Sequence, residues 1–150
     1  MDSNFREIEF ISPADGSRQP ALLAVPEFPG LRPLVVGLHT WSFDRHNQIQ
    51  NYLPLCREKG WALLLPEFRG PNLIGNPNRG TACGSRTVRQ DIAASVRHVL
   101  ANYPIDPSRV FLLGCSGGGM AALLTAADEP ELFSAVDVWW PHKRPYPKQL

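Results

Sequence analysis

Ser116 stands in the run Gly114-Cys115-Ser116-Gly117-Gly118-Gly119, after the apolar stretch Val110-Phe111-Leu112-Leu113 and before the helix-forming stretch Met120-Ala121-Ala122-Leu123-Leu124. Three roles fit a serine set among glycines where a strand joins a helix. In the first, Ser116 is a nucleophile. A G-x-S-x-G turn holds its serine on a sharp corner above a sheet, and the residues two positions to either side must be small. Gly114 and Gly118 meet that need. The helix that follows would aim free N–H groups and a positive dipole end at a developing oxyanion, with the Gly117 N–H as donor. In the second role the glycines cradle a phosphate. From Gly117 through Ala122 the chain fits G-x-G-x-x-A, and Asp137 lies twenty residues after Gly117, where a ribose-binding acid would be. In the third, the glycines let a helix pack closely on a sheet and Ser116 is inert.

A second signal, Gly37-Leu38-His39-Thr40-Trp41, follows a strand one strand–helix unit upstream of the serine. That is where the second oxyanion donor of such hydrolases originates, so the backbone N–H of Thr40 or Trp41 is the expected group. His39 lies at the strand end, and its expected role is to organise the loop by hydrogen bonding. The phosphate reading leaves this region unexplained. It also puts its glycines after a late strand, whereas the dinucleotide fingerprint opens the first βαβ unit.

These residues need a scaffold, and the hydrophobic pattern supplies one. Residues 5–12 alternate apolar and polar, 13–17 are turn chemistry, and 21–27 read as a second strand, so the chain opens on a hairpin. Residues 31–39 and 61–67 are apolar strands of the kind buried on both faces of a parallel sheet. Between them, Ile49, Tyr52, Leu53 and Cys56 form one face of a helix over 47–60, with Gly60 as C-cap and Pro54 as a source of distortion. A Gly/Asn/Pro-rich loop covers 69–84, long enough to suggest function. A helix over 85–103 presents Val88, Ile92, Val96 and Val99. A strand at 109–114, a helix over about 117–127 and a strand at 133–140 complete the pattern. Strands alternating with helices after a hairpin imply an α/β fold: a mostly parallel sheet, helices on both faces, and an N-terminal antiparallel hairpin.

Composition sets limits. The chain has 150 residues, 43% hydrophobic and 19% charged, which fits one globular domain with a sizeable core. A net charge of +1 excludes an electrostatically driven nucleic-acid or membrane partner. Arg6, Arg18, Arg32, Arg45, Arg57 and Arg69 are scattered and read as solvated surface positions. Cys56, Cys83 and Cys115 have neither metal spacing nor an even count for a disulfide framework, and no cofactor or metal is expected. No signal pattern or bilayer-length apolar run is present, so the expected location is cytoplasmic.

With both chemical signals placed, the chain resembles an α/β-hydrolase, and specifically the catalytic domain of the prolyl oligopeptidase family. The resemblance runs over roughly residues 30–141 and rests on LVVGLHTWS, LLLPEFRGPN, ACGSRTVRQDIAASVRHV and RVFLLGCSGGGMAALLTAADEPELFSAV. It implies a serine hydrolase acting on a peptide or ester through an acyl-enzyme at Ser116. It makes Asp91 a structural acid that ties its helix to neighbouring loops, and Arg69 an anchor for the loop at 69–84.

The triad of this fold runs Ser, Asp or Glu, then His in chain order. In the resembling family the acid and the His follow strands beyond the one at 133–140. The sequence stops at Leu150, so the expectation is a domain short of its last strands, by about 80–100 residues on domain size, and lacking that Asp and His. Of the histidines present, His142 is the best-placed base; His98 and Asp137 lack the right topological place. The strand at 133–140, or the one at 109–114, would then be an open edge carrying Val136, Val138, Trp139 and Trp140, and would invite self-association. Two other readings stand beside the hydrolase: an inactive or self-associating remnant of one, and a nucleotide-binding domain using Gly117 and Gly119.

Overall fold

The computed structural model describes residues 5–140. The chain opens with strands β1 (Phe5–Ile11), β2 (Arg18–Ala24) and β3 (Arg32–Leu38). Helix α1 (Ile49–Lys59), β4 (Ala62–Pro66) and a short 3-10 turn (Arg79–Thr81) follow. Helix α2 (Arg86–Asn102), β5 (Ile105–Cys115), α3 (Gly117–Asp128) and β6 (Ala135–Trp139) complete it. The six strands form one sheet in the order β1-β2-β4-β3-β5-β6. The β1–β2 and β2–β4 pairs are antiparallel, and β3 pairs in parallel with both β4 and β5, as does β5 with β6.

Period-two alternation sorts the central strands between two cores. Leu34, Val36, Leu64, Val110 and Leu112 face the layer holding Val88, Ile92, Val96 and Val99 of α2 and Ala121 and Ala122 of α3. Val35, Leu63 and Leu65 face Tyr52 and Cys56 of α1, with Phe111 and Leu113 half-buried beside them. That two-sided burial is why these strands read as unbroken apolar runs.

The helix ends follow local chemistry. The hydroxyl of Ser85 accepts from the Val88 N–H at 3.2 Å and caps α2. Gly60 closes α1 in the left-handed conformation, and α1 runs through Pro54. Strand β5 begins at Ile105 rather than 109, and its pairing with β3 shifts register between Arg32 and Leu34. Of the two strands expected to be open, only β6 is an edge; β5 lies between β3 and β6.

The arginines are not all solvated. Arg69 is 3% exposed, and its guanidinium holds Asp91 (Nε–Oδ2 2.5 Å), Asp15 (Nη1–Oδ2 2.7 Å) and the Ser12 hydroxyl (2.8 Å). It thereby ties the loop after β4 to the β1–β2 turn and to α2. Arg45 bridges Glu67 and Glu7, each at 3.0 Å. Asp91 is fully buried, which fits the structural role expected of it.

This cluster makes the fold acid-sensitive. The Arg69 guanidinium first, and then the Ser17 hydroxyl and N–H, hold the Asp15 carboxyl well below its ordinary 3.8. A depressed native pKa contributes stability that is present above the unfolded value and lost as pH falls through that range. Denaturant midpoints should therefore drop between about pH 5 and pH 2, and drop less steeply in Asp15→Asn. Identical slopes would show that the Asp15 contact does not report on folding.

Among the described residues no helix is long and apolar enough to cross a membrane.

Candidate active site

Strand β5 delivers the chain to Ser116 and α3 leaves from it. Between them Ser116 takes φ 52° and ψ −119°, a left-handed backbone that a side chain rarely adopts. Such a residue costs of order 1–3 kcal/mol and persists only where its surroundings enforce it. Here the enforcement is visible. A Cβ on Gly114 would meet the Gly118 carbonyl, and one on Gly118 would lie 2.6 Å from the Leu38 oxygen and 2.7 Å from that of His39. The start of α3 is thus jammed against β5 and against the end of β3. The Ser116 N–H donates to the Trp139 carbonyl at 3.1 Å, which pins the corner to β6.

The Ser116 hydroxyl caps no helical N–H, and among the described residues no side chain hydrogen-bonds it. As the first helical residue, Gly117 has no intrahelical acceptor for its N–H, and the α3 dipole adds positive potential there. A Cβ on Gly117 would collide with the Trp41 indole, so the loop after β3 is laid directly over the turn.

Thr40 and Trp41 separate at this point. The Thr40 N–H donates to Asn47 Oδ1 at 3.2 Å, so it is spent within the loop. The Trp41 carbonyl accepts from the Asn72 N–H at 2.6 Å, which clamps that residue to the long loop after β4. Of the two expected donors, Trp41 is therefore the one left. Asn47 and Asn72 were not singled out from sequence, because neither a side-chain oxygen that accepts from another loop residue's N–H nor a main-chain N–H that meets a carbonyl of another loop has a local signature.

His39 is 2% exposed and stacks on Phe68 at 3.9 Å. Its Nδ1 lies 2.8 Å from the Thr40 carbonyl and its Nε2 2.7 Å from that of Glu67. Both nitrogens are thus turned to the loops and away from Ser116, in the organising role expected of His39. His98 lies on α2 and is half-buried. Asp137 lines a separate cavity of about 270 Å³ with Tyr52, Trp61 and Phe111 on the α1 side of the sheet. His142 lies outside the described residues. Cys115 adjoins Ser116, but burial pushes its thiol up and away from the reactive thiolate.

Beside Ser116 opens a cleft of about 360 Å³, with Gly119 at its floor and Met120, Leu123, Val138 and Trp140 among its walls. The glycines offer no comparable space for a phosphate. The positions a side chain would take at Gly117 and Gly118 are filled by Trp41 and by backbone carbonyls, so these glycines serve contact between protein segments. Close packing alone, however, requires no strained serine between them.

The sequence model of the prolyl oligopeptidase family matches residues 43–138. An acetylxylan esterase of Coprinopsis cinerea is 44% identical over 48 residues, 32% of this chain and 13% of that protein. The chain therefore matches only a small part of that relative's length. Among solved structures, oligopeptidase B from Leishmania major superposes with a TM-score of 0.74 at 18% identity, over 89% of this chain and 19% of that one. A thermostable esterase superposes with a TM-score of 0.68 at 24% identity, over 89% of this chain and 39% of that one. At these identities the likeness to solved structures shows the fold, that of the α/β-hydrolases.

Proposed function

The chain belongs to the prolyl oligopeptidase family of serine hydrolases, and from that premise we propose that Ser116 is its nucleophile and that peptide or ester bonds are cleaved through an acyl-enzyme at this residue. The observation that carries the reading is the left-handed Ser116 backbone at the β5–α3 corner, held there by glycines with no room for a methyl group. A backbone of that cost needs a reason, and exposure of the hydroxyl beside a helix N-terminus supplies one.

In the reaction, Ser116 Oγ bonds to the carbonyl carbon and its proton passes to a base. The negative charge formed on the carbonyl oxygen is met by the N–H groups of Gly117 and Trp41. The bond to the leaving alcohol or amine then breaks, and the leaving group takes up the proton. Water repeats the sequence on the acyl-enzyme, frees the acid and restores the serine. Serine without a base is a weak nucleophile at neutral pH. Among the described residues no base reaches Ser116 Oγ. His142, two positions after Trp140 of the cleft, is the candidate within this sequence. The names of the relatives support both ester and peptide substrates: an acetylxylan esterase and a thermostable esterase on one side, an oligopeptidase on the other.

Fluorophosphonate labelling tests the assignment. The chain should label at one site, and Ser116→Ala should lose all of it. Equal labelling of the variant would overturn the assignment. His142→Ala should slow labelling by about 100-fold or more if His142 is the base.

A further inference from the structure

The walls of the Ser116 cleft specify what sits beside the reacting bond. Resting on the reading of Ser116 as nucleophile, we propose that this cleft receives a neutral, aromatic or branched apolar group of an ester, and discriminates against charged ones. Met120, Leu123, Val138 and Trp140 present a thioether, two branched aliphatic groups and an indole, and among the described residues none that lines the cleft can carry a charge at neutral pH. A cavity of about 150 Å³ accepts benzene; about 360 Å³ leaves room for a ring and a short linker. Thioether and indole both favour an aromatic guest, through sulfur–aromatic and ring–ring contact.

Among the described residues, charge on the guest would have no answer there. The acid closest in sequence, Asp137, sits on the same strand but faces the α1 side, because neighbouring residues of β6 point to opposite faces. A cationic side chain entering the cleft would lose its hydration and gain no partner among the described residues. The surface is accessible: Leu123 is 54% and Trp140 is 69% exposed. The cleft also flanks β6, an edge strand among the described residues, so the competing occupant is a second copy of this chain.

The test uses binding and not turnover, which separates it from the nucleophile assignment. The chain has four tryptophans, of which Trp41, Trp139 and Trp140 surround Ser116, so intrinsic fluorescence reads the site directly. Ser116→Ala titrated with ethyl cinnamate should show a saturable change in emission. Ethyl 4-guanidinobutyrate, which offers a cation and no ring, should bind at least tenfold more weakly. Leu123→Asp, a change at an exposed position, should weaken cinnamate binding at least tenfold with an unchanged circular dichroism spectrum, and Trp140→Ala should do the same. Equal binding of the two esters, or unaltered binding by both variants, would overturn the proposal. So would a dimer in sedimentation that binds the ester only on dilution, since the second copy would then own the cleft. Selective binding in a chain whose fluorophosphonate labelling survives Ser116→Ala would overturn the nucleophile assignment and leave the cleft standing.

Discussion

Arg69→Met is expected to destabilise the fold by about 3–5 kcal/mol, the range for removing one partner of a buried ion pair. Methionine keeps the length of the side chain and its apolar stem. It removes the donors that reach Asp91, Asp15 and Ser12. Asp91 is 0% exposed, so its carboxylate is left buried without its cation. The Asp15 contact adds less, because Asp15 is half exposed and water screens it. A double variant, Arg69→Met with Asp91→Leu, should recover most of the loss, since an apolar pair of similar volume is often as stable as the buried ion pair it replaces. Equilibrium denaturation of the two single variants and the double gives the coupling energy. Additive losses, with no recovery, would show that the two residues stabilise the fold through separate contacts.

The second large effect is expected at Gly118→Ala. Two contributions oppose each other. Alanine is the better helix former by about 1 kcal/mol. Against that, its Cβ would lie 2.6 Å from the Leu38 oxygen and 2.7 Å from the His39 oxygen, both backbone atoms of β3 and its following loop. Overpacking costs about 1–3 kcal/mol, and contact with backbone on a central strand puts this site at the upper end. The net expectation is a loss of about 2 kcal/mol. Relief by moving α3 away from β3 would also separate the Gly117 N–H from the Trp41 loop, so Ser116 labelling should slow by about tenfold or more. Gly75→Ala, where a methyl group would meet nothing within 4 Å, is the control and should change stability by less than about 0.5 kcal/mol. Equal behaviour of the two variants would mean that the Gly118 contact is not tight in solution.

Much of this arrangement was legible in the residues. Gly60 and Ser85 marked helix ends because capping is local chemistry, and the apolar runs of β3, β4 and β5 marked buried strands because both faces are covered. The glycines around Ser116 announced a tight turn through the closeness of Gly114 to Gly118, although the contact of Gly118 with the end of β3 could not be read from the turn itself. The burial of Arg69 was hidden because its partners, Asp15 and Asp91, are far away along the chain and meet it only when the β1–β2 turn, the loop after β4 and α2 come together. The choice between Thr40 and Trp41 depended on Asn47, for the same reason. The start of β5 at Ile105 was hidden because Pro107 and a register shift interrupt the pattern. That Trp140 flanks Ser116 follows from the parallel register pairing Cys115 with Trp139.

The order of strands also sets an order of events in time. Leu34 of β3 pairs with Ala62 on one side and with Val110 on the other. As the chain leaves the ribosome, β3 can first acquire β4, which in turn accepts the β1–β2 hairpin. Its other edge stays open until β5 has been made. Parallel pairings over such sequence separations are intrinsically slow, and the waiting edge is exposed to wrong partners meanwhile. The corner at Ser116 takes its shape from β5, from the β3 loop and from β6, so it can form only after the last of these has docked. Refolding followed at Trp41 and Trp139 should therefore lag behind backbone protection of the hairpin.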